Sequence, residues 1–412
     1  MPDLLVIGGG AAGFFGAIAC AESLAKPAEI LILEKSPNVL TKVKISGGGR
    51  CNVTHACFDP KLLTTNYPRG GRSLIGPFHH WQAEDTVSWF EDRGVELKTE
   101  ADGRMFPTTD KSQTIIDCLT SAARESGIQW QTGVEVRKIE TDGDRFTVWT
   151  SDDRKLEVSA VLLATGGTRS AAAAKPAVDL GHSLISATPS LFTFHIDDPR
   201  LSDLQGLSVP MACVRDLGTK QESNGPMLIT HWGLSGPAVL KLSAWGAREM
   251  AERDYRFEIE VNWLGDVTIE QADAVFRTQR SNHGSRQIAT RSPFESLPRR
   301  LWSRQVEQSG VPENATWANL QKEHAKSLLQ NLVKARFQVT GKSLNKEEFV
   351  TCGGVRLKDV NLKTMESKIQ PGLYLAGEVL DIDGVTGGFN FQAAWTTGVL
   401  AGRAIADRLE VE

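Results

Sequence analysis

The chain opens with two short runs of consecutive apolar residues, Leu4–Ile7 and Ile30–Leu33, on either side of an alanine-rich stretch that reaches Ala25. Neither run alternates with polar residues, which is typical of parallel strands that are covered on both faces. The stretch between them has the length and composition of a helix. The pattern therefore predicts a strand, a helix and a parallel strand at the start of the fold.

Later runs extend this α/β pattern. Apolar residues recur at helical spacing from Asp85 to Gly94 and from Ser112 to Ser126. Across Val134–Val161 they alternate with polar residues, which predicts a small antiparallel meander. The meander leads into a fully apolar run, Ala160–Ala164, which predicts another buried strand.

The pattern changes in the middle of the chain. Short strand-like runs are followed by a segment, 268–332, that is polar, helical and rich in tryptophan and arginine. Dinucleotide-type signals return only toward the C-terminus. We therefore expect residues 1–192 and 344–412 to form one discontinuous α/β domain, with an inserted mixed β-barrel and helical domain at 193–343.

Composition limits the classes of partner. The 412 residues are 41% hydrophobic and 23% charged, with a formal net charge of -4. This balance makes nucleic acid an unlikely partner, and no apolar run reaches the roughly 18 residues of a membrane span. The first residues lack the basic segment of a signal peptide, so we expect a cytoplasmic protein. The six cysteines contain no CxxC pair, which predicts reduced thiols and no metal site.

The first candidate for chemistry is a glycine motif directly after the opening strand. Gly8, Gly10 and Gly13 have the GxGxxG spacing that makes a tight turn, admits a pyrophosphate and lets the helix pack on the strand. Glu34 ends the next strand, where a carboxylate accepts hydrogen bonds from the adenosine ribose. A carboxylate there disfavours a 2′-phosphate, which leaves FAD or NAD as the dinucleotide.

Two further glycine segments decide between FAD and NAD. Ser46–Asn52 contains three glycines whose backbone N–H groups are available to a phosphate or a flavin edge, with Lys42 and Lys44 nearby; a flexible surface loop is the alternative. In Gly377–Asn390, a strand ends at a turn that places Asp381 toward the ribityl chain. Gly387 and Gly388 then open a helix whose N-terminus would stabilise negative charge on the reduced flavin. These segments favour FAD.

Taken together, the segments resemble the BaiN-like, aminoacetone-oxidase-like family of NAD(P)/FAD-dependent oxidoreductases. The resemblance spans nearly the whole chain and rests on Gly8–Gly13, Ser46–Asn52, Thr230–Pro237, Val350–Val355 and Gly377–Gly388. It implies a glutathione-reductase-type FAD domain with an inserted substrate domain, and FAD held without a covalent bond. Some members of the family reduce steroid-like enones, and others are suggested to oxidise small amines, so the resemblance implies the cofactor and leaves the reaction open.

The chain departs from the family pattern at two positions. The tyrosine that is usual in the family's GGYN segment is Phe389 here, and the second asparagine of its CNxTN stretch is His55. Any polar contact that those side chains make elsewhere in the family must come from other residues in this chain.

The residues predicted to bind FAD lie in six segments. They are Gly8, Gly10, Ala11, Ala12, Gly13, Glu34, Lys35, Lys42, Ser46, Gly47, Gly48, Gly49, Arg50, Cys51, Asn52, Val134, Glu135, Thr165, Gly166, Gly377, Glu378, Asp381, Gly387, Gly388, Phe389 and Asn390.

Four residues are candidates for catalysis. His231 lies in a glycine-rich turn and would donate the proton that accompanies hydride transfer from flavin N5. Cys51, six residues before Cys57, would belong to a redox disulfide, although a structural, flavin-lining role is the stronger interpretation because the spacing is not CxxxxC. Arg50 and His195 are the weaker alternatives to His231.

The sequence predicts an enzyme that transfers hydride between FAD and a small organic substrate. It contains no second strand–GxGxxG–helix unit for NAD(P)H, so NAD(P)H is expected as a transient co-substrate over the flavin. An oxidase of a small amine that uses O₂ is the first alternative. The second is a non-catalytic flavin protein with a redox or RNA-binding role, since residues 277–304 contain seven arginines; a solvated helical face explains these more simply. The oligomeric state is left open.

Overall fold

The fold was analysed in a computed structural model, which describes residues 2–143, 145–168, 171–343 and 350–411. The chain divides into two compact units, a discontinuous unit of Met1–Thr188 with Lys346–Glu412 and an inserted unit of Pro189–Asn345. The predicted return to the first domain at residue 344 lies outside the described residues.

The described part of the chain contains both strands and helices. The strands are β1 (Leu4–Ile7), β2 (Ile30–Glu34), β3 (Thr54–His55), β4 (Leu97–Thr99), β5 (Arg104–Pro107), β6 (Gln129–Thr132), β7 (Val136–Asp142), β8 (Arg145–Thr150), β9 (Lys155–Val158), β10 (Ala160–Leu163), β11 (Leu184–Ser190), β12 (Thr193–His195), β13 (Ser208–Asp216), β14 (Glu222–Ile229), β15 (Gly233–Ser235), β16 (Phe257–Asn262), β17 (Ala335–Val339), β18 (Gly341–Ser343), β19 (Val350–Val355), β20 (Val360–Asn361), β21 (Glu366–Ser367) and β22 (Leu373–Leu375). The helices are α1 (Ala11–Ser23), α2 (Thr41–Gly49), α3 (Pro60–Thr64), α4 (Gly71–His80), α5 (Ala83–Glu91), α6 (Ser112–Glu125), α7 (Ala171–Asp179), α8 (Pro237–Trp245), α9 (Ala247–Glu252), α10 (Ile269–His283), α11 (Arg299–Gln308), α12 (Lys322–Val333) and α13 (Phe389–Val411). Among the described residues, no helix has the length and apolar character needed to cross a membrane.

The discontinuous unit is built on a sheet with the order β20-β21-β22-β10-β1-β2-β6. Its central strands are parallel: β1 pairs with β2 on one side and with β10 on the other, and β22 adds to β10. The predicted opening of strand, helix and parallel strand is confirmed, and so is the buried strand at 160–164. The predicted meander is the separate antiparallel sheet β7-β8-β9.

The first and last helices of the unit pack at very short range because glycines line their contact. A Cβ on Gly402 of α13 would lie 2.2 Å from the carbonyl oxygen of Gly16 in α1. One turn away, a Cβ on Gly398 would lie 2.8 Å from the Ala12 carbonyl oxygen. Beside this contact, the ring of Phe15 packs on aromatic rings from α5 and α13. The close packing brings the C-terminal helix against the N-terminal glycine motif.

The inserted unit contains an antiparallel sheet with the order β17-β16-β13-β14-β15-β12-β18. The two ends of this order, β17 and β18, are separated only by Thr340 and form one continuous segment. That segment pairs with β16 along its first half and with β12 along its second half, so the sheet closes into a barrel. Buried apolar residues from the barrel and from α8 and α10–α12 form one core. Barrel and helices together match the predicted mixed architecture.

The strands that lead into and out of the insertion pair with each other. β11 and β19 form a two-stranded sheet. The Arg356 N–H donates to the Ser183 carbonyl at 3.0 Å, and a Cβ on Gly353 would lie 2.5 Å from the Ser186 carbonyl oxygen. The chain therefore leaves the discontinuous unit and returns to it along neighbouring strands.

Candidate functional site

The glycines after β1 allow strand, helix and neighbouring strand to approach closely. Gly8 has a φ of +113°, and a Cβ there would lie 2.2 Å from the carbonyl oxygen of Ala164. A Cβ on Gly13 would lie 2.0 Å from the carbonyl oxygen of Gly8. Around Gly10, a Cβ would meet nothing within 4 Å. Open space at the first turn of α1, where backbone N–H groups lack helical acceptors, is what a pyrophosphate requires.

The carboxylate of Glu34 lies beside the same glycine turn. Its Oε2 accepts the Gly9 N–H, and its Oε1 accepts the N–H two residues after Glu34, both at 2.8 Å. Each carboxylate oxygen has a second lone pair, so acceptors remain for the ribose hydroxyls predicted here. Val134 donates from its backbone to the Glu34 carbonyl at 3.0 Å. Lys35 and Glu135 are exposed.

The second glycine segment differs from the predicted loop. α2 continues to Gly49 through a break in which Ser46 leaves the helical conformation. Gly47, Gly48 and Gly49 have φ values of 57°, 70° and 85°, a left-handed region that glycine enters without strain. A Cβ on Gly48 or Gly49 would meet nothing within 4 Å. Glycine freedom thus lets the helix end in an open backbone turn, which suits the predicted contact with a phosphate or flavin edge.

Cys51 and Asn52 are buried below that turn. With its amide oxygen toward Gly388, Asn52 accepts the N–H of that glycine at 2.9 Å and so joins the second glycine segment to the third. Burial raises the pKa of the Cys51 thiol to about 12. Cys51 and Cys57 are both free cysteines. Because a thiol that stays protonated is a poor nucleophile, this environment favours the lining role for Cys51 over redox chemistry.

The guanidinium of Arg50 is held by neighbours on β5 and its flanking loops. It lies 3.9 Å from the ring centroid of Phe106 and pairs with Glu100 at 2.6 Å. Asp110 is 3.5 Å away. The hydrogen bond that Arg50 donates to Glu100 raises the pKa of Arg50 above its usual value. These contacts hold the Arg50 guanidinium in place, and its predicted roles in catalysis and FAD binding stay predictions.

Three segments of the discontinuous unit meet at Glu378. Its carboxylate forms an ion pair with Lys42 at 2.5 Å and accepts the Thr351 N–H at 2.8 Å. Gly166, on the loop after β10, has a φ of 77° and open space where a side chain would be. The neighbouring Thr165 hydroxyl donates to a carbonyl of α7 at 2.7 Å.

The two aspartates in the turn after β22 have different surroundings. Asp383 is fully buried and forms a two-point ion pair with Arg69, in which Nε lies 2.5 Å from Oδ1. Asp381 is half-buried, and its N–H donates to the Val355 carbonyl at 3.0 Å. Asp383 therefore fixes the turn, and Asp381 is the more accessible carboxylate for the predicted ribityl contact.

The start of α13 is fixed by contacts to its own turn and to β3. The Asn390 amide donates to the Gly384 carbonyl at 2.9 Å and accepts the Gly384 N–H at 2.8 Å. A Cβ on Gly388 would lie 2.6 Å from the Thr54 backbone, and Gly387 has a φ of +130°. Asn390 thus holds the turn in place, and its predicted contact with the cofactor stays a prediction.

The two positions that depart from the family pattern contact each other. The imidazole of His55 stacks on the ring of Phe389, with centroids 4.7 Å apart and an interplanar angle of 21°. Tyr67 donates its hydroxyl to the Phe389 carbonyl at 2.6 Å. The ring of Phe389 therefore has an aromatic neighbour in place of the polar contacts that a tyrosine hydroxyl makes.

Sequence analysis did not identify Tyr67, Arg69 or Gln392 as site residues. Gln392 accepts a hydrogen bond from the Thr54 hydroxyl at 2.6 Å and so ties α13 to β3. The only sequence feature that points to Tyr67 and Arg69 is the glycine pair at the end of Tyr67–Gly71. This pair does not match the motif of a phosphate-binding loop.

The glycine segments predicted from distant parts of the sequence thus lie together. Gly377 comes close to α1, since a Cβ there would lie 2.9 Å from the Cβ of Ala12. Two helix N-termini, an open glycine turn and three carboxylates, those of Glu34, Glu378 and Asp381, line one region of the discontinuous unit. The residues fit FAD, because open backbone is found where phosphates are expected and acceptors where hydroxyl groups are expected.

The candidate proton donor His231 is exposed in the inserted unit, in the turn between β14 and β15. The histidine whose side chain is held by neighbouring side chains is His195 on β12. Its Nε2 is 2.6 Å from the Ser343 hydroxyl, and its ring stacks on Trp232 with centroids 5.4 Å apart. Burial and the charge of Lys342 lower the pKa of His195, so the imidazole is neutral at pH 7.

The arginine-rich segment 277–304 serves the inserted unit itself. Arg277 pairs with Asp273 one turn earlier in α10. The other three arginines with internal partners donate to backbone carbonyls; these are Arg280, Arg300 and Arg304. Arg286, Arg291 and Arg299 are exposed. Within the described residues, no group of His, Cys, Asp and Glu side chains has the arrangement of a metal site.

Comparison with solved structures defines the class of fold. The fold resembles that of 3-ketosteroid delta1-dehydrogenase from Sterolibacterium denitrificans, with a TM-score of 0.53, 12% identity and coverage of 99% of both chains. This likeness, with the parallel sheet and its glycine turns, shows a Rossmann-type FAD-binding fold.

Comparison of sequences gives the family. The profile described as "HI0933-like protein Rossmann domain" matches residues 2–404, and the chain belongs to this family. It is 29% identical to a 3-dehydro-bile acid delta(4,6)-reductase from Clostridium scindens over 98% of both chains. It is also 29% identical to a ribosomal RNA dihydrouridine synthase from Escherichia coli over 96% of both chains.

Proposed function

We propose that the protein is an FAD-dependent reductase that takes hydride from NAD(P)H and adds it to a carbon–carbon double bond conjugated with a carbonyl in a small organic ring. We assign FAD as the cofactor because three glycine turns lie close together. These turns are Gly8–Gly13, Ser46–Asn52 and Gly377–Asn390. The reaction is inferred from the names of the two relatives, because one describes a delta(4,6)-reductase and the other a synthase of dihydrouridine. Both names describe the hydrogenation of an unsaturated ring.

The residues of the discontinuous unit have separate roles in holding FAD. The first turn of α1 and the space at Gly10 receive the pyrophosphate, and Glu34 receives the ribose hydroxyls. Asp381 accepts from the ribityl chain, while the Arg69–Asp383 pair holds its turn in place. The N-terminus of α13 offers backbone N–H groups and a positive dipole end to the pyrimidine side of the flavin. When bound, FAD would supply hydride transfer at N5.

Reduction of a conjugated double bond also needs a proton and a group that polarises the carbonyl. A neutral imidazole hydrogen-bonded to a hydroxyl, as in His195 and Ser343, meets that need better than the exposed His231. We therefore assign the proton-donating role to His195, which the sequence offers as a weaker alternative to His231.

The proposal is tested by anaerobic stopped-flow reduction of the purified FAD protein with NADH and with NADPH, followed by mixing with a conjugated ketone. We expect loss of the visible flavin absorbance with at least one nucleotide and its return with the ketone. If neither nucleotide reduces the flavin, the reductase is excluded. Consumption of O₂ with release of peroxide on adding a small amine would instead favour the oxidase.

A second candidate substrate is uridine in RNA, which the name of the Escherichia coli relative favours. Only Arg286, Arg291 and Arg299 of the arginine-rich segment are exposed without an internal partner among the described residues. Replacing all three with glutamine would weaken RNA binding and reduce its salt dependence if this candidate is correct. Unchanged binding would leave the small molecule as the substrate.

A further inference from the structure

The segment Asn52–His55, which we call the clamp, contacts the start of the C-terminal helix with each of its four residues. With its amide oxygen toward Gly388, Asn52 accepts the N–H of that glycine at 2.9 Å. The backbone carbonyl of Val53 accepts a hydrogen bond from Trp395 Nε1, also at 2.9 Å. The first two residues of the clamp thus hold the turn before α13 and the second turn of that helix.

The last two residues of the clamp are those of β3, and they hold the first turn of α13. The Thr54 hydroxyl donates to Gln392 Oε1 at 2.6 Å, and this hydrogen bond is buried. The His55 imidazole stacks on the ring of Phe389, the first residue of α13, with ring centroids 4.7 Å apart. A Cβ on Gly387 would lie 3.5 Å from the same imidazole. His55 therefore packs against both the helix and the turn that precedes it.

The imidazole of His55 is held from its other side by β5 and the loop before it. His55 pairs with Arg104 in the antiparallel ladder of β3 and β5. Its Nε2 lies 3.1 Å from the Asp102 carbonyl oxygen. A Cβ on Gly103 would lie 2.3 Å from the imidazole Cε1, so the glycine makes room for the ring. The ring is therefore confined between the loop that joins β4 to β5 and the start of α13.

The position of the start of α13 matters for redox chemistry because a helix N-terminus carries partial positive charge. Its first backbone N–H groups have no acceptor within the helix, and their effect falls off within about one turn. The clamp also touches the open glycine turn, since a Cβ on Gly47 would lie 3.2 Å from the Asn52 backbone nitrogen. One short segment thus fixes the glycine turn and the helix N-terminus relative to each other.

We propose that the clamp sets the reduction potential of bound FAD, because the stack of His55 on Phe389 holds the N-terminus of α13 at the pyrimidine side of the flavin. The inference rests on the proposed function for the cofactor, and it adds a positioning residue for the redox chemistry. A fixed positive helix end stabilises the anionic reduced flavin more than the oxidised flavin. Loosening the clamp therefore lowers the potential, and the flavin becomes harder to reduce.

The test is the two-electron reduction potential of the FAD protein, measured anaerobically at fixed pH by equilibration with a reference dye during chemical reduction. His55→Ala removes the stack on Phe389. We expect it to weaken the binding of reduced FAD about tenfold relative to oxidised FAD, which lowers the potential by about 30 mV. His55→Phe keeps a ring on Phe389, so the same ratio should change by less than about twofold, or about 10 mV.

His80→Ala is the matched control, because His80 is an exposed histidine on α4 of the same unit. Its potential should equal that of the unaltered protein. Phe389→Leu removes the stack from the helix side and should give the same shift as His55→Ala, which provides the measurement if His55→Ala does not retain FAD. The inference is overturned if the potential of either stack-removing variant equals that of His80→Ala, or if His55→Phe falls as far as His55→Ala.

The chemical reductant replaces NAD(P)H, and no ketone is added. The measured potential is therefore independent of whether the protein is a reductase, and a failed turnover assay does not alter its interpretation. Absence of bound FAD from the unaltered protein would overturn both the proposed function and this inference.

Discussion

Gly13 stands where the carbonyl oxygen of Gly8 would be 2.0 Å from any added Cβ. Gly13→Ala should push α1 away from β1 and displace the N–H groups at its first turn. Overpacking of this kind costs about 1–3 kcal/mol, which corresponds to FAD binding that is weaker by about tenfold to a hundredfold. Fluorescence titration of the FAD-free protein measures the change.

Gly76 is a suitable control for this substitution. It lies within α4, and a Cβ there would meet nothing within 4 Å. Gly76→Ala should leave FAD affinity unchanged, although the added Cβ costs some helix stability because Pro77 follows directly. Equal affinity in the Gly13 and Gly76 variants would contradict the role given to the first motif.

The stacked pair of His55 and Phe389 predicts coupling between two residues that are more than 300 positions apart in the chain. In a double-mutant cycle with His55→Ala and Phe389→Leu, the two changes in unfolding free energy should be non-additive by about 0.5–1.5 kcal/mol. Urea denaturation of the four proteins measures the coupling. Additivity within about 0.3 kcal/mol would mean that the stack contributes no stability.

At the scale of elements, the turn before α13 is held by the buried pair of Arg69 and Asp383. Arg69→Met removes the two-point partner of a carboxylate with no exposed surface. The free energy of unfolding should fall by about 3–5 kcal/mol, and FAD affinity should fall with it because the turn carries Asp381. Chemical denaturation and FAD titration measure the two effects.

The exposed ion pair of Lys138 and Glu140 provides the comparison. Its side chains lie on the surface of the meander, so Lys138→Met should change the free energy of unfolding by less than about 1 kcal/mol and leave FAD affinity unaltered. If the Arg69 variant lost no more stability than the Lys138 variant, the buried pair would not be what fixes the turn.

The buried His182 links the end of α7 to β21 and gives the fold a pH dependence. Its Nδ1 is 2.9 Å from the Ala177 carbonyl and its Nε2 is 2.7 Å from the Ser367 hydroxyl. Burial lowers its pKa below the usual value. Below about pH 6.5 the unfolded chain therefore binds a proton more readily than the folded one, and stability is lost as the pH falls.

This dependence is measurable as the difference in unfolding free energy between about pH 7.5 and about pH 5.5. His182→Asn should reduce the difference, since the amide can bond but cannot take up the proton. His195 also has a lowered pKa and acts in the same direction, so part of the dependence should remain in the variant. If the difference in unfolding free energy between the two pH values is unchanged in this variant, the pH dependence arises from groups other than His182.

Elements with a local cause could be predicted from the sequence, and contacts between distant elements could not. The opening strand, helix and strand follow from an uninterrupted apolar run and a glycine spacing, both of which lie within one segment. The contacts of Arg69 with Asp383 and of Asn52 with Gly388 join segments that no periodicity connects. The sequence favours His231 over His195 because the glycine turn around His231 is visible in it. The pairing of β12 with β18, which places His195 beside Ser343, is not visible in the sequence.

At the scale of the whole molecule, the discontinuous unit should fold without the insertion. β11 and β19 pair, so a short glycine–serine linker can join residue 188 to residue 350 without moving either strand. The shortened protein should bind FAD and show a cooperative thermal transition, but should not oxidise NAD(P)H in the presence of a conjugated ketone. Absorbance, circular dichroism and a turnover assay test this. Failure to bind FAD would show that the inserted unit supports the cofactor site.

The packing of α13 on α1 has a consequence for synthesis in the cell. Gly388, on the other side of the same cofactor region, is made 354 residues after Glu34. At about 5–20 residues per second, the interval between them is on the order of 20–70 s. During that time the first glycine turn is exposed without its closing helix, and the inserted barrel can fold first. The cofactor site is therefore complete only after α13 has been synthesised.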